Sequence, residues 1–348
     1  MRILIVGPSW VGDMVMAQTL FACLKLRHGA DCAIDVLAPD WSRPILERMP
    51  EVRNALSFPL GHGVLDLAAR RRIGHSLRGQ YDQAIVLPNS LKSALVPWFA
   101  GIPQRTGWRG EMRYGLLNDL RLLDKQRYPL MIERFMALAF EPTHVLQRPY
   151  PRPTLSIDSD SRQAALAHFE LELDRPVLAL CPGAEFGEAK RWPVEHYARV
   201  ADEKIRQGWQ VWLFGSASDR VGCEDIRSQL IPGLREESVN LAGATSLAEA
   251  IDLLSCAHAV VSNDSGLMHV AAALNRPLVA LYGSTSPDFT PPLAAQVEIV
   301  RLGLDCSPCF DRTCRFGHYN CLRDLPPELV LDALQRLVGE PLADPQAI

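Results

Sequence analysis

Three short stretches of the sequence place glycines beside side chains that could do chemistry. The first is GPSWVGDM, residues 7–14, which follows the apolar run ILIV. Its glycines, Gly7 and Gly12, have the spacing of a phosphate-binding loop, but Asp13 stands where that loop has a lysine. Because a carboxylate repels phosphate, this loop must serve another purpose.

The second stretch is CPGAEFGEAKRWP, residues 181–193, which also follows an apolar run. Gly183, Ala184 and Gly187 would let the backbone approach a ligand, and Lys190 is within reach of a pyrophosphate bound there. We therefore predict that Gly183, Ala184 and Lys190 contribute to a nucleotide site. The alternative is a solvated Lys–Arg pair ahead of the next helix.

The third stretch is SNDSGLMH, residues 262–269. The turn formed by Asp264, Ser265 and Gly266 offers backbone N–H groups and a hydroxyl at the start of a helix, an arrangement that binds anions. His269 lies four residues after Ser265 and therefore on the same helical face. Helix capping by Asp264 or Ser265 is the alternative, and it leaves His269 without a role.

The elements that must position these stretches are strands of a parallel sheet. Apolar runs of strand length alternate with helical patterns along the chain, and such runs predict strands that helices cover on both faces. They form two sets, separated by the proline-rich segment 141–161. The fold class is therefore α/β, with two Rossmann-like domains whose parallel sheets face each other across a cleft.

The domains are predicted at residues 1–150 and 151–325. A C-terminal helix and tail, residues 326–348, follow them, and we expect this segment to pack back toward the first domain. In the second domain LFGSASD, residues 213–219, follows a further strand-like run. Asp219 at its end is placed to bind a ribose.

Charge is distributed unevenly between the two halves of the chain. The first 150 residues hold 19 Lys and Arg against 13 Asp and Glu, whereas the rest is acidic and the whole chain has a net charge of −4. The excess predicts an anionic partner for the first half, with a chance excess of solvated arginines as the alternative. Nucleic acid is not expected, because no basic and aromatic motif accompanies the charge.

No targeting or membrane-spanning segment is apparent in the sequence. The chain begins MRILIVG without the regions of a secretory signal, and no apolar run approaches the roughly 20 residues that span a bilayer. We therefore expect a cytoplasmic protein that is able to touch a membrane surface.

Four of the nine cysteines form a group near the C-terminus. Their C-x2-C-x4-C-x6-C spacing, with His318 inside it, could hold a structural zinc or an iron–sulfur cluster. The alternative is a loop of reduced thiols able to form local disulfides. The group consists of Cys306, Cys309, Cys314 and Cys321.

Six motifs, in order along the chain, resemble those of the lipopolysaccharide heptosyltransferases, most of all the type that adds the second heptose. The similarity extends over nearly the whole chain, which makes it more specific than any single glycine pattern. The motifs are GPSWVGDMVMAQTL, RTGWRGEMRYGLLND, CPGAEFGEAKRWP, LAGATSLAEAI, NDSGLMHVAAALNRPLVALYG and TSPDFTPPL.

The resemblance implies a GT-B glycosyltransferase that moves L-glycero-D-manno-heptose from ADP-heptose to the first heptose of the lipopolysaccharide inner core. It implies inversion at the anomeric carbon and no cofactor for catalysis. Asp13 becomes the catalytic base and Lys190 contacts the donor phosphates, while the turn 264–266 and His269 hold donor phosphate and heptose. The first domain would face the lipid-anchored acceptor at the cytoplasmic face of the inner membrane, and the second would hold ADP-heptose.

Acceptor contacts are sought among the cations of the first domain. The alternatives for the whole chain are heptose transfer to another position, transfer from another nucleotide sugar, and non-catalytic binding of a nucleotide sugar, for which an acid such as Asp13 has no use. The predicted acceptor contacts are Lys92, Arg105, Arg109 and Arg113, with Arg70, Arg71 and Arg72 as an outer patch.

Overall fold

The structure is a computed structural model that describes residues 1–61 and 63–339. The chain divides into two compact units, Met1–Ser156 and Ile157–Ile348. The division falls inside the proline-rich segment 141–161, six residues after the boundary expected from the sequence.

The first unit is built on one six-stranded sheet in which all neighbouring strands are parallel, in the order β3-β2-β1-β4-β5-β6. The residues Ile3 to Val6 are buried, as expected for a strand that helices cover on both faces. The strands are β1 Arg2–Val6, β2 Ala33–Ala38, β3 Val52–Ser57, β4 Gln83–Val86, β5 Gln104–Trp108 and β6 Asp119–Arg121. The helices are α1 Val11–His28, α2 Arg43–Leu46, α3 Leu67–Ser76, α4 Leu95–Phe99 and α5 Met131–Met136.

The second unit repeats this arrangement with the strand order β12-β11-β10-β7-β8-β9, again parallel throughout. Its core packs Trp192 and Tyr197 against strand residues such as Val211 and Val261. The strands are β7 Val177–Cys181, β8 Gln210–Leu213, β9 Ser238–Asn240, β10 Ala259–Asn263, β11 Leu278–Leu281 and β12 Val297–Val300. The helices are α6 Ser159–His168, α7 Val194–Arg206, α8 Arg220–Gln229, α9 Leu247–Leu254, α10 Gly266–Ala273, α11 Asn320–Arg323 and α12 Pro327–Val338.

The C-terminal helix, α12, begins after Pro326 and packs against β12 and α7 of its own unit. Leu334 on its buried face joins the core of that unit. The expected packing toward the first domain also involves the tail, and residues 340–348 lie outside the described residues.

Both sheets have the strand order of a doubly wound fold, in which successive crossovers change direction once. The change falls between β1 and β4 in the first sheet and between β7 and β10 in the second. Loops diverge at such a switch point and leave a crevice at the carboxyl ends of the strands, where ligands bind. The stretch with Asp13 follows β1, the stretch with Lys190 follows β7, and the turn 264–266 follows β10.

Candidate functional site

A buried ion pair occupies the switch point of the second unit. The Lys190 ammonium nitrogen lies 2.6 Å from Oδ2 of Asp264 and 3.3 Å from the Asp264 carbonyl oxygen. Only 13% of the Lys190 side chain and 5% of the Asp264 side chain are exposed. The ammonium also lies 4.9 Å from the centre of the Phe186 ring. Lys190 therefore belongs to a fixed cluster, and the alternative of a solvated Lys–Arg pair is wrong for this residue.

Thr285 is a member of this cluster that the sequence did not indicate. Its hydroxyl donates a 2.6 Å hydrogen bond to the same Oδ2 atom of Asp264 that accepts from Lys190. Thr285 follows β11, the strand beside β10, so parallel pairing brings it to the same edge of the sheet. The sequence signal was the run GSTS, residues 283–286, small and hydroxyl-bearing side chains directly after a strand.

The N-terminus of α10 lies next to the ion pair in the chain. Ser265 is the N-cap residue, but its side chain makes no capping hydrogen bond, and its Oγ lies 3.3 Å from Oγ of Ser262. Asp264 uses its carboxylate on Lys190. The backbone N–H groups in the first turn of α10, from Gly266 onward, therefore receive no capping hydrogen bond from the Ser265 side chain. N–H groups that no side chain caps at a helix N-terminus favour the binding of an anion.

Asn263 joins the two loops of the site and was not singled out from the sequence. Its side-chain amide donates to the carbonyl of Pro182 over 2.6 Å, and its carbonyl oxygen accepts from the backbone of Trp192 and the hydroxyl of Tyr197. Asn263 is fully buried. Because these partners flank the loop that carries Lys190, Asn263 fixes this loop to the end of β10.

Asp219 lies against Gly183 and is engaged within the protein. Its carboxylate accepts from the backbone and hydroxyl of Ser216 at 2.9 and 2.7 Å, and Arg191 donates to it over 3.3 Å. A Cβ atom on Gly183 would lie 2.4 Å from Oδ2 of Asp219. Glycine at 183 is therefore required by the close approach of Asp219, and the neighbouring Ala184 is buried.

His269 is buried in the first helical turns of α10. Burial lowers the pKa of His269 to about 4, with Asp264 acting in the opposite direction and Lys190 in the same direction. The imidazole is consequently neutral near pH 7. A neutral imidazole donates through one ring nitrogen and accepts through the other, and so it can bind a hydroxyl or a phosphate oxygen without adding charge.

Asp13 lies at the switch point of the first unit, in the first turn of α1. Its side chain is intermediate in exposure, unlike the buried residues Met14 to Leu20 that follow it. A carboxylate in the first turn of a helix is stabilised in its charged form by the helix dipole. The structure therefore places a carboxyl group at the edge of the first sheet where ligands bind in this fold.

The predicted acceptor cations divide into two kinds. Lys92 and Arg109 are partly or fully exposed in the loops after β4 and β5. Arg113, in contrast, is fully buried and donates to the backbone carbonyls of Pro88 and Trp108, while Arg105 donates to the carbonyls of Ile102 and Leu116. Burial also lowers the pKa of both arginines. Because both guanidinium groups hold the backbone, we do not retain Arg105 and Arg113 as acceptor contacts.

The predicted outer patch needs a similar correction at one position. Arg70 is buried and donates to the carbonyls of Val64 and Lys92, whereas Arg71 and Arg72 are exposed. Arginines that follow one another on a helix point in different directions, since successive residues are about 100° apart. Arg70 therefore has a structural role.

The four clustered cysteines line one small cavity together with His318 and Ser284. All four are free thiols, and Cys314 lies 4.0 Å from Nδ1 of His318. Hydrogen bonds from nearby backbone groups, first that of Tyr319, lower the pKa of Cys314. Across residues 1–61 and 63–339, however, no three His, Cys, Asp or Glu side chains are placed to hold a metal ion. These residues do not fit the zinc or iron–sulfur site that their spacing indicated.

Two doubly wound units in one chain, each with a six-stranded parallel sheet, are the architecture of GT-B glycosyltransferases. No helix within the described residues is long and apolar enough to cross a bilayer. The chain belongs to glycosyltransferase family 9 (heptosyltransferase), whose family model matches residues 70–320. It is therefore a glycosyltransferase.

Similar proteins align with this chain over almost its whole length. The lipopolysaccharide heptosyltransferase 2 of Escherichia coli K12 is 51% identical over 97% of this chain and 99% of its own length. The lipooligosaccharide heptosyltransferase 2 of Haemophilus influenzae is 51% identical over 98% of this chain and 100% of its own. The solved structure of E. coli ADP-heptose LPS heptosyltransferase II matches with a TM-score of 0.88 at 49% identity, covering 97% and 98% of the two chains. The predicted fold class and family resemblance are confirmed.

Proposed function

We propose that the chain transfers L-glycero-D-manno-heptose from ADP-heptose to the first heptose of the lipopolysaccharide inner core, with inversion at the anomeric carbon. Both similar proteins named above are type 2 heptosyltransferases, and each matches this chain over nearly its full length. The observation that carries the proposal is the buried cluster of Lys190, Asp264 and Thr285 beside the N-terminus of α10.

The donor diphosphate is proposed to bind between Lys190 and the N-terminus of α10. An ammonium group has three N–H donors, and the hydrogen bonds of Lys190 within the described residues run to the carboxylate and the carbonyl of Asp264. The third donor is left for a phosphate oxygen. Ser265 and Gly266 supply backbone N–H groups to the same anion. These groups stabilise the charge that ADP gains as it leaves.

The remaining donor contacts follow from their positions around this anion site. Neutral His269 is proposed to bind a hydroxyl of the heptose or a phosphate oxygen. Gly183 and Ala184 line the path of the nucleotide after β7. Asp219 is proposed to accept a hydrogen bond from a ribose hydroxyl through Oδ1, the oxygen to which Arg191 donates. Its Oδ2 atom already accepts from Ser216.

Asp13 is proposed as the general base that takes the proton of the acceptor hydroxyl. Inversion needs a single in-line attack, so one base beside the hydroxyl is sufficient. Lys92 follows β4, the strand that flanks the switch point opposite β1. Lys92 and Arg109 are therefore retained as contacts to the anionic groups of the acceptor. Because that acceptor is anchored in lipid, we place the enzyme at the cytoplasmic face of the inner membrane.

The test is incubation of the purified full chain with ADP-heptose and three inner-core acceptors that bear no heptose, one heptose or two. The proposal expects a mass increase of one heptose on the second acceptor alone. Transfer to the heptose-free acceptor would instead show that the chain adds the first heptose. No transfer to any acceptor, together with tight ADP-heptose binding, would indicate a non-catalytic binding protein.

A further inference from the structure

Five large apolar side chains of the first unit are exposed in the two segments that follow β3 and β5. Met112 and Tyr114 are 78% and 64% exposed, which is high for side chains of their size. Exposed apolar side chains that lie close together commonly mark an interaction surface, whereas single exposed apolar side chains are ordinary. We call the five side chains the apolar rim: Val64, Leu65, Leu67, Met112 and Tyr114.

A buried arginine holds the first of these segments in place. The Arg70 guanidinium donates to the carbonyl of Val64 over 2.9 Å and to the carbonyl of Leu65, and it lies 4.9 Å from the centre of the Phe58 ring. Arg70 itself is 2% exposed. The backbone of Val64 and Leu65 is therefore fixed to the fold while both side chains point away from the core.

A second buried arginine holds the other segment in the same way. Arg113 is fully buried and donates to the carbonyls of Pro88, after β4, and Trp108, at the end of β5, so its side chain ties this segment to both. Its neighbours Met112 and Tyr114 are the exposed ones. In both segments a buried guanidinium group holds the backbone next to the exposed apolar side chains.

Both segments form hydrogen bonds with the loop after β4 and are therefore neighbours on the first unit. Arg70 donates to the carbonyl of Lys92 over 3.0 Å. On the other side Glu111 accepts from the backbone of Leu91 over 2.7 Å and donates its own N–H to the carbonyl of Asn89 over 3.0 Å. The loop that carries Lys92 thus contacts both segments of the apolar rim. The cations near the rim in the chain are the exposed Arg71, Arg72 and Arg109 and the half-buried Lys92.

We propose that the apolar rim inserts into the headgroup region of an anionic lipid bilayer while the nearby cations bind lipid phosphates. Exposed apolar side chains with Lys and Arg nearby have the chemistry of an interfacial membrane anchor. Charge complementarity favours anionic lipid over an apolar protein partner, since the first 150 residues contain more Lys and Arg than Asp and Glu. The inference deepens the proposed function, from which it takes the idea that the acceptor resides in a membrane.

The experiment is co-sedimentation of the full chain with vesicles of phosphatidylcholine, with and without phosphatidylglycerol, in the absence of donor and acceptor. Two variants remove half of the rim each, Val64→Ser with Leu65→Ser and Met112→Ser with Tyr114→Ser. Each should lower binding to anionic vesicles about tenfold, because burial of a large apolar side chain is worth at least that factor. The matched control is Leu173→Ser with Val221→Ser, two exposed side chains of the second unit, and it should bind like the parent chain.

Arg71→Gln with Arg72→Gln tests the electrostatic part. This variant should weaken binding to the anionic vesicles and leave the weak binding to phosphatidylcholine unchanged. Thermal unfolding of every variant establishes that the fold is intact before vesicle binding is compared.

Three results would overturn the inference. Rim variants that bind vesicles like the parent chain, or a control that loses as much, would remove the role of the rim. Concentration-dependent dimers of the parent chain that the rim variants abolish, without vesicle binding, would make the rim a contact between copies. Slower transfer by the rim variants to a deacylated acceptor would make it a sugar contact. Because the vesicle assay contains no substrate, its outcome is independent of whether the proposed heptose transfer is correct.

Discussion

Replacing Lys190 by methionine removes a charge from a buried ion pair while keeping most of the unbranched side chain. The Asp264 carboxylate would stay buried with the hydrogen bond from Thr285 but without the ammonium that now lies 2.6 Å away. Loss of one partner of a buried pair costs about 3–5 kcal/mol, because the remaining charge is not solvated. Lys190 is 13% exposed. We therefore expect the lower end of that range, about 3 kcal/mol, for the drop in the free energy of unfolding.

The adjacent residue provides a matched control. Arg191 lies 3.3 Å from Asp219, but 45% of its side chain is exposed, so Arg191→Met should cost less than about 1 kcal/mol. Urea unfolding measures both losses. Lys190→Met combined with Asp264→Asn should recover most of the stability, since a neutral amide needs no cation.

Calorimetric titration with ADP then separates stability from donor binding. ADP should bind at least tenfold more weakly to Lys190→Met and to the double variant alike, because both lack the ammonium that contacts phosphate. Equal losses of stability in Lys190→Met and Arg191→Met would refute the buried-pair argument. Unchanged ADP affinity in the stable double variant would refute the donor role of Lys190.

Three further predictions concern Asp13 in the first unit and His269 and Thr285 in the second. Asp13→Asn should abolish heptose transfer and leave ADP affinity within about twofold by calorimetry, since the acid is assigned to the acceptor hydroxyl; Asp160→Asn, a first-turn acid of α6, should keep normal turnover. Because burial lowers the pKa of His269 from 6.5 to about 4, the unfolded chain binds a proton in that interval that the folded chain does not. The contribution of His269 to the free energy of unfolding is therefore complete above pH 6.5 and falls by about 3 kcal/mol as the pH is lowered toward 4. Urea unfolding of the His269→Gln variant should not show this loss. Thr285→Val should lower the free energy of unfolding by about 2 kcal/mol, because a hydrogen bond to a charged group is lost, and it should raise the KM for ADP-heptose. Thr285→Ser, which keeps the hydroxyl, should have the stability and the KM of the parent chain.

The fold and the principal loops of the site were predictable because local sequence determines them. Apolar runs that alternate with helical patterns indicated the parallel strands, and strand ends followed by small residues indicated the loops with Asp13, Lys190 and Ser265. Each of those signals lies within a few consecutive residues. The ion pair of Lys190 with Asp264 spans 74 positions in the chain, and only the pairing of β7 with β10 brings the two residues together.

The contacts that were missed depend on the order of the strands, which one sequence does not display. Thr285 reaches Asp264 because β11 lies beside β10, and Asn263 reaches Pro182 because β7 lies on the other side of β10. The roles of Arg70 and Arg113 were misjudged for a related reason. A charge count cannot distinguish an arginine at the surface from one that is buried against backbone carbonyls, and the two have opposite meanings for acceptor binding.

The two sheets have the same strand order, yet the side chain assigned to the chemistry after the first strand is acidic in one unit and basic in the other. After β1 the chain presents the carboxylate of Asp13, and after β7 it presents the ammonium of Lys190. Under the proposed mechanism this difference follows from the chemistry of glycosyl transfer. The incoming hydroxyl must lose a proton, which needs a base, and the departing diphosphate must be stabilised by positive charge, which needs a cation and helix N–H groups. A lysine at position 13 would add a second cation for the diphosphate and would leave the acceptor hydroxyl without a base. This accounts for the aspartate in a loop whose glycine spacing otherwise suits phosphate.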